Sequence, residues 1–264
     1  LLFKAGAVPL HFWVPDAAQG ASTTAAAFLT TIPKIGALVA TYRLIDALPG
    51  TADWALLIAI LAAASMTLGN LAAYLQTDPQ RLHGWSTVSQ VGYLLVPVVV
   101  AGRTALALPA LLLYLAAYAV TNLAAFAVVA TFPTRRRLDS YRGLAGSRPW
   151  LGGALLVSLL GLVGTPPTAV FVGKLTVTPP AWSGGAAWVA VVVLINTLAS
   201  LFYYLRWIAP TYRPGEPATT SDTAAAGAPR PWAAGAAVIA GAASLALGLA
   251  AGAAWALLDT PLLR

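Results

Sequence analysis

The sequence predicts an all-α polytopic transmembrane helix bundle with discontinuous helices. Three observations carry that expectation. Of its 264 residues, 59% are hydrophobic and 9% are charged, against about 25% charged in soluble domains. The apolar residues fall in runs of roughly 20, the length that crosses a bilayer. Lysines and prolines stand inside those runs, where a central lysine costs about 2.5–3.5 kcal/mol and a proline leaves a backbone carbonyl without a partner.

The runs are read in order as follows. Residues 1–14 form a remnant that already begins inside a hydrophobic stretch. No charged leader precedes Leu1, so the chain is expected to start within a helix, with helices missing upstream. Seven complete helices follow, over residues 21–46, 54–75, 82–100, 105–132, 150–178, 186–208 and 232–258. With the remnant, seven to eight spans are expected. The stretch 150–178 is counted as one helix with GTPPT in its middle, and GTPPT is expected to interrupt it.

Loop charge orients this map. Three alternate loops hold Arg81, then Arg135, Arg136, Arg137, Arg142 and Arg148, then Arg213 and Arg230. The loops between them hold only Arg103 or no basic residue. This is the positive-inside pattern, which puts those three loops in the cytoplasm. The net charge of +7 is therefore topological, and nucleic acid is not an expected partner. Cysteine is absent, which removes disulfides and thiolate metal sites. His11 and His83 alone do not make a zinc cluster. VGKL at 172–175 lacks the glycine and the hydroxyl of a phosphate-binding loop.

The two basic residue types are segregated. All twelve arginines lie in loops or near predicted helix ends, and all three lysines, Lys4, Lys34 and Lys174, lie inside spans. Arginine stays charged in almost any setting, whereas a desolvated lysine releases its proton readily. The three lysines are therefore candidate proton carriers, against the plainer reading that they snorkel to an interface.

The prolines sharpen this. Pro9 cannot donate to the Ala5 carbonyl, nor Pro33 to Leu29, and Pro166 and Pro167 leave Leu162 and Val163 unpaired. Transporters build ion sites at such breaks; a simple kink is the alternative at Pro33. In a continuous helix, His11 shares a face with Lys4, seven residues earlier. It reads either as a proton relay or as an interfacial histidine bonded to backbone. Asp16 reads as a cap or as the counter-charge of a cation. Asn70, Asn122 and Asn196, with the polar turn Ser86, Thr87, Ser89 and Gln90, read as glue between helices. Gly248 and Gly252 form a GxxxG packing signal. Tyr203, Tyr204 and Trp207 fit an interfacial aromatic belt.

FKAGAVPLHFWVPDAAQGA followed by TIPKIGALVATYRL resembles the antiporter-like membrane subunits of respiratory complex I. LGNLAAYLQTDPQRLHGWSTVSQVGYLL, SYRGLAGSRPWLGGALLVSLLGLVGTPPTAVFVGKL and NTLASLFYYLR continue the likeness over nearly the whole chain. The resemblance implies inverted five-helix repeats. It places the end of the first repeat at 1–46, the second at 47–212, and a cytoplasmic loop with the last helix at 213–264. It maps the family's lysines of the broken seventh helix, the eighth helix and the broken twelfth helix onto Lys4, Lys34 and Lys174. The carboxylate that partners the first of these belongs to a helix this sequence does not contain, and none of its eight acidic residues falls mid-span. The sequence departs from the family at Gly20-Ala21-Ser22-Thr23-Thr24, where GAPTP is usual, at Gln90, where histidine is usual, and at Val170, where glycine is usual.

The resemblance further implies proton translocation coupled to quinone reduction. The partners are other membrane subunits and the lipid bilayer, and the setting is the bacterial inner membrane. NADH, flavin, iron–sulfur clusters and quinone are expected in partner subunits, and no cofactor in this chain. A subunit of a multisubunit cation/proton antiporter is the alternative.

Overall fold

In the computed structural model, residues 1–48, 53–214 and 229–258 are described. Most of the expected loop after Arg213, together with Glu216, Asp222, Asp259 and Arg264, lies outside the described residues. The order begins with α1 (Leu2–Ala5), α2 (Trp13–Gly20), α3 (Thr23–Ala47), α4 (Trp54–Tyr74), α5 (Pro79–Val99) and α6 (Ala107–Thr131). A 3-10 turn at Leu138–Tyr141 precedes α7 (Leu144–Ser147), α8 (Pro149–Val163), α9 (Ala169–Ser183) and α10 (Ala187–Tyr212). The last helices are α11 (Pro231–Leu249) and α12 (Ala251–Leu258).

Side chains fix several helix starts. The Ser22 hydroxyl accepts from the Ala25 amide, Asp53 from Leu56 and Asp78 from Arg81, each relieving an amide that has no partner inside its helix. Pro79 supplies the first residue of α5, a position that needs no N–H.

Among the described residues five helices, α3, α4, α6, α10 and α11, are long and apolar enough to cross a membrane, fewer than the seven to eight spans expected. Two causes account for the difference. Helix α5 carries Arg81, His83, Ser86, Thr87, Ser89 and Gln90, which lower its hydropathy. It can carry them because nearly every residue along it is buried by protein. The 150–178 stretch is two short helices, α8 and α9, on either side of Gly164–Thr168. The remnant at 1–14 is likewise not one helix: α1 ends at Ala5, Gly6 turns left-handed at φ 82°, and α2 starts at Trp13. The last expected helix divides at Ala250. By contrast, α3 runs through Pro33 without a break.

Helix α6 forms the centre of the bundle, packed against α3, α5, α8, α9 and α11, while α4 lies along α5. Glycine permits that last approach. A Cβ on Gly69 would stand 2.5 Å from the Ser89 amide nitrogen, and one on Gly92 2.6 Å from that of Met66. Of the GxxxG pair only Gly248 is packed. Its absent Cβ makes room for the Pro167 carbonyl, whereas Gly252 faces open space. Large apolar side chains such as Leu71, Leu198, Phe202 and Ile239 are exposed, as suits a surface bathed in hydrocarbon.

The arginine-rich ends gather at one end of the bundle. Leu138 donates its amide to the Thr77 carbonyl and Arg230 to that of Thr131. Arg136 reaches Asp78 at 3.6 Å and the Gln80 side chain at 2.8 Å. Asp16 accepts from Arg81 at 2.6 Å, so its carboxylate balances a cation at this end. Exposed pairs of this kind are worth about 0–1 kcal/mol.

Candidate functional site

Two helix breaks, each with one lysine, form the heart of the bundle. At the first, α1 ends in carbonyls that no longer meet helical amides. The Leu2 carbonyl accepts from the Gly6 and Ala7 amides, and that of Phe3 from Gly6 and, at 2.9 Å, from the Trp13 indole. The Lys4 carbonyl accepts from the Lys34 ammonium at 3.3 Å. The Val8 amide, its helical partner in an unbroken helix, donates instead to the Ser65 hydroxyl at 3.0 Å.

At the second break the same accounting closes. Gly164 is left-handed, φ 87°. The Leu160 carbonyl accepts from the Gly164 and Thr165 amides and the Thr165 hydroxyl. The two carbonyls that Pro166 and Pro167 were expected to free both have partners. Leu162 accepts from the Gln90 amide and Val163 from the Lys174 ammonium, each at 2.8 Å. The prolines therefore create two acceptors, and a lysine and a glutamine from other helices fill them.

The lysines are matched in other ways. Lys34 is 0% exposed and Lys174 5%. Lys34 lies over the Trp13 ring at 4.4 Å and Lys174 over the Tyr93 ring at 3.9 Å, where the ring faces favour a cation. Each crosses a left-handed glycine. A Cβ on Gly6 would stand 3.4 Å from the Lys34 ammonium, and one on Gly164 2.9 Å from Cδ of Lys174. Lys174 also donates to the Thr197 hydroxyl at 3.2 Å.

Between the two lysines runs a buried string of polar groups. On α3, Thr30 and Thr31 lie one turn before Lys34, and Asn122 of α6 donates to both hydroxyls at 3.1 and 2.9 Å. The Tyr118 hydroxyl donates to the Thr30 carbonyl at 2.8 Å and to the Thr87 hydroxyl at 3.2 Å. One turn along α5 from Thr87, Gln90 accepts from the Tyr114 hydroxyl at 2.9 Å while donating into the second break. Gln90 thus joins the string to the carbonyl beside the one Lys174 holds. A second cluster braces α4 against α10. Asn70 donates to Asn196 at 2.9 and 3.0 Å and accepts from Ser89 at 2.8 Å, the helix glue that lone amides suggest.

Lys4 and His11 stand differently. Lys4 is exposed on the flank of α1, and His11 is half-buried with its ring 5.4 Å from that of Trp85. Because the helix ends between them, they do not share a helical face, and the spacing argument for that pair fails. Tyr203, Tyr204 and Trp207 do not form an interfacial belt. All three are fully buried against α5, and Tyr204 shares a hydrogen bond with Ser86. Sequence reasoning missed Trp13, Tyr114 and Tyr118. The last two could have been found, since Tyr114, Tyr118 and Asn122 at four-residue spacing make a polar stripe on one face of α6. Among the described residues no cluster of three or more His, Asp or Glu side chains offers a metal site.

Comparison with known proteins agrees with this architecture. Residues 1–200 match the family model described as NADH:quinone oxidoreductase/Mrp antiporter, TM. The chain is 66% identical over 257 residues to an NADH-quinone oxidoreductase subunit N of Mycobacterium sp. strain JLS, covering 97% of this chain and 54% of that relative. It therefore spans about half the length of the curated relatives it matches. A chain of respiratory complex I from Thermus thermophilus with bound aureothin superposes with a TM-score of 0.81 at 36% identity, covering 97% of this chain and 56% of that one. A chain of the Mrp complex from Dietzia sp. superposes at 0.84 with 24% identity, covering 99% and 58%, which bears on fold alone.

Proposed function

Because the chain belongs to the NADH:quinone oxidoreductase/Mrp antiporter transmembrane family, we propose that it moves protons along the membrane midplane as a subunit of a complex I-like NADH:quinone oxidoreductase. The observation that carries this reading is the matched pair of breaks. Lys34 and Lys174 each donate to a carbonyl near the C-terminal end of a broken helix, and buried hydroxyls and amides lie between them. An ammonium so placed keeps hydrogen-bond partners in either protonation state of its neighbours, which suits a carrier that must gain and lose a proton inside hydrocarbon.

In this reading Lys4 and His11 receive protons from the half of the subunit that this chain does not span. Lys34 passes them along the Thr30–Tyr118–Thr87 line, and Lys174 delivers them to the far side. Residues 1–46 close one repeat, residues 47–212 form the next, and 213–264 add the last helix. Quinone reduction and its NADH, flavin and iron–sulfur chemistry belong to partner subunits in the bacterial inner membrane. The cation/proton antiporter reading shares the fold. Redox-driven proton uptake by proteoliposomes in sodium-free buffer tests the choice. Uptake lost in Lys34→Ala and Lys174→Ala supports the proposal, and uptake that needs sodium favours the antiporter.

A further inference from the structure

The geometry points to a proton inlet at the arginine-rich end of the bundle, with His83 as its relay to the lysine line. This inference rests on the proton-carrying reading above. His83 is 0% exposed, yet neither ring nitrogen has a hydrogen-bond partner among the described residues. It is held by its faces instead, with the ring centroid 4.8 Å from that of Phe126 and 5.3 Å from that of Trp207. A core histidine kept for packing alone would be bonded or replaced by an apolar residue, because a buried polar group without a partner is costly.

His83 does not stand alone. Toward the arginine-rich end, the Trp207 indole nitrogen, the Tyr141 hydroxyl and one guanidinium nitrogen of Arg135 are also buried without hydrogen-bond partners. These groups are contiguous. The Tyr141 ring lies 5.3 Å from Trp207, and the Arg135 guanidinium lies 5.6 Å from Tyr141. Four neighbouring side chains, each with at least one buried polar atom that no protein group satisfies, make a polar seam, and water is what satisfies such groups. In the other direction, Thr87 and Gln90 follow His83 by four and seven residues on one face of α5. Thr87 already receives the Tyr118 hydroxyl, so the seam ends on the proposed proton line.

Imidazole fits this position because it takes a proton on one nitrogen and gives one up from the other, with no net change. A proton would arrive by water from the Tyr141 side and leave by water towards Thr87. The charged groups at the mouth are Arg135, Arg136 and Arg148 with Asp78, so the opening is cationic.

The test uses the full-length subunit in the assembled complex, reconstituted in vesicles. His83→Leu and His83→Gln are compared with Lys34→Ala. Both His83 variants should assemble, and their initial proton uptake should fall about tenfold. His83→Leu should also melt at a higher temperature than the parent, since it removes an unpaired polar ring. Parental uptake in both His83 variants, with uptake lost in Lys34→Ala, overturns the inlet and leaves the lysine line standing. Parental uptake in Lys34→Ala overturns the proton-carrying reading and the inlet with it. Electron cryomicroscopy of the unaltered complex decides independently of folding in the variants. Ordered water within hydrogen-bond distance of the His83 ring supports the inlet, and a dry ring overturns it.

Discussion

The Lys174 ammonium donates to the Val163 carbonyl at 2.8 Å across a helix break made by Pro166 and Pro167. The same residue pair would be out of register in a continuous helix, where the amide four residues on would occupy that carbonyl. The lysine is thus placed by a missing backbone bond, which makes the prolines part of the site.

Replacing Pro166 and Pro167 together by alanine should let α8 and α9 join and return helical donors to Leu162 and Val163. Gln90 and Lys174 would then lose their acceptors. We expect assembly to survive and proton flux to fall several-fold, since a displaced carrier loses the alignment that transfer needs. A structure of the double variant and vesicle uptake check this together. A continuous helix with unchanged flux would disprove the role of the break.

Lys34→Arg tests release against fixed charge. Arginine keeps the cation but holds its proton in almost any setting, and Gly6 and Trp13 leave little room for the larger head group. Pumping should be blocked nearly as fully in Lys34→Arg as in Lys34→Ala, by about a hundredfold or more if transfer at this step limits the rate. Normal pumping by the arginine variant would mean that a permanent charge suffices.

Lys4 is exposed, and among the described residues no carboxylate pairs with it. A cation in hydrocarbon needs a counter-charge or must give up its proton. Vesicles containing only these 264 residues should therefore show no lysine-dependent proton flux, while the full-length subunit in its complex should. Lysine-dependent flux in the shorter chain would show that it contains a complete path.

Asn70→Ala removes the amide that joins α4 to α10 and leaves Asn196 and Ser89 without it. Interhelical hydrogen bonds in membranes average about 0.6 kcal/mol and reach about 1.7. The variant should lose about 1–2 kcal/mol by thermal or denaturant unfolding in detergent. Gly69→Ala should cost about 1–3 kcal/mol, because its new methyl meets the Ser89 backbone rather than a side chain that can move. An unchanged melting temperature in either variant would contradict the packing described.

Helix existence was legible from hydrophobic runs, since α3, α4, α6 and α10 begin and end within a few residues of the expected bounds. The interruption at GTPPT was legible too, because two adjacent prolines remove two donors at once. What ran beyond the sequence was the company each helix keeps. Helix α5 is too polar to read as central until α2, α3, α4, α6 and α9 are seen to surround it. Trp207 reads equally as belt or core, because an aromatic at a helix end says nothing of whether lipid or protein faces it. The left turn at Gly6 was missed because Pro9, not Gly6, draws attention, although the chain turns three residues before the proline. The partners of the freed carbonyls were invisible for the same reason. Gln90, Lys34 and Lys174 come from other helices.

Each half-helix that ends at a break points its negative dipole end into the bundle, and in α8 a lysine ammonium sits on that end. A cation there is worth about 0.3–2 kcal/mol, the upper range in buried settings. Position and protonation are then two faces of one equilibrium. By thermodynamic reciprocity, whatever moves the end of α8 relative to Lys174 alters how firmly that lysine holds its proton, and a proton arriving there pulls on the helix to the same extent. A junction of this kind converts displacement into charge and charge into displacement without a hinge, a ligand or a change of fold.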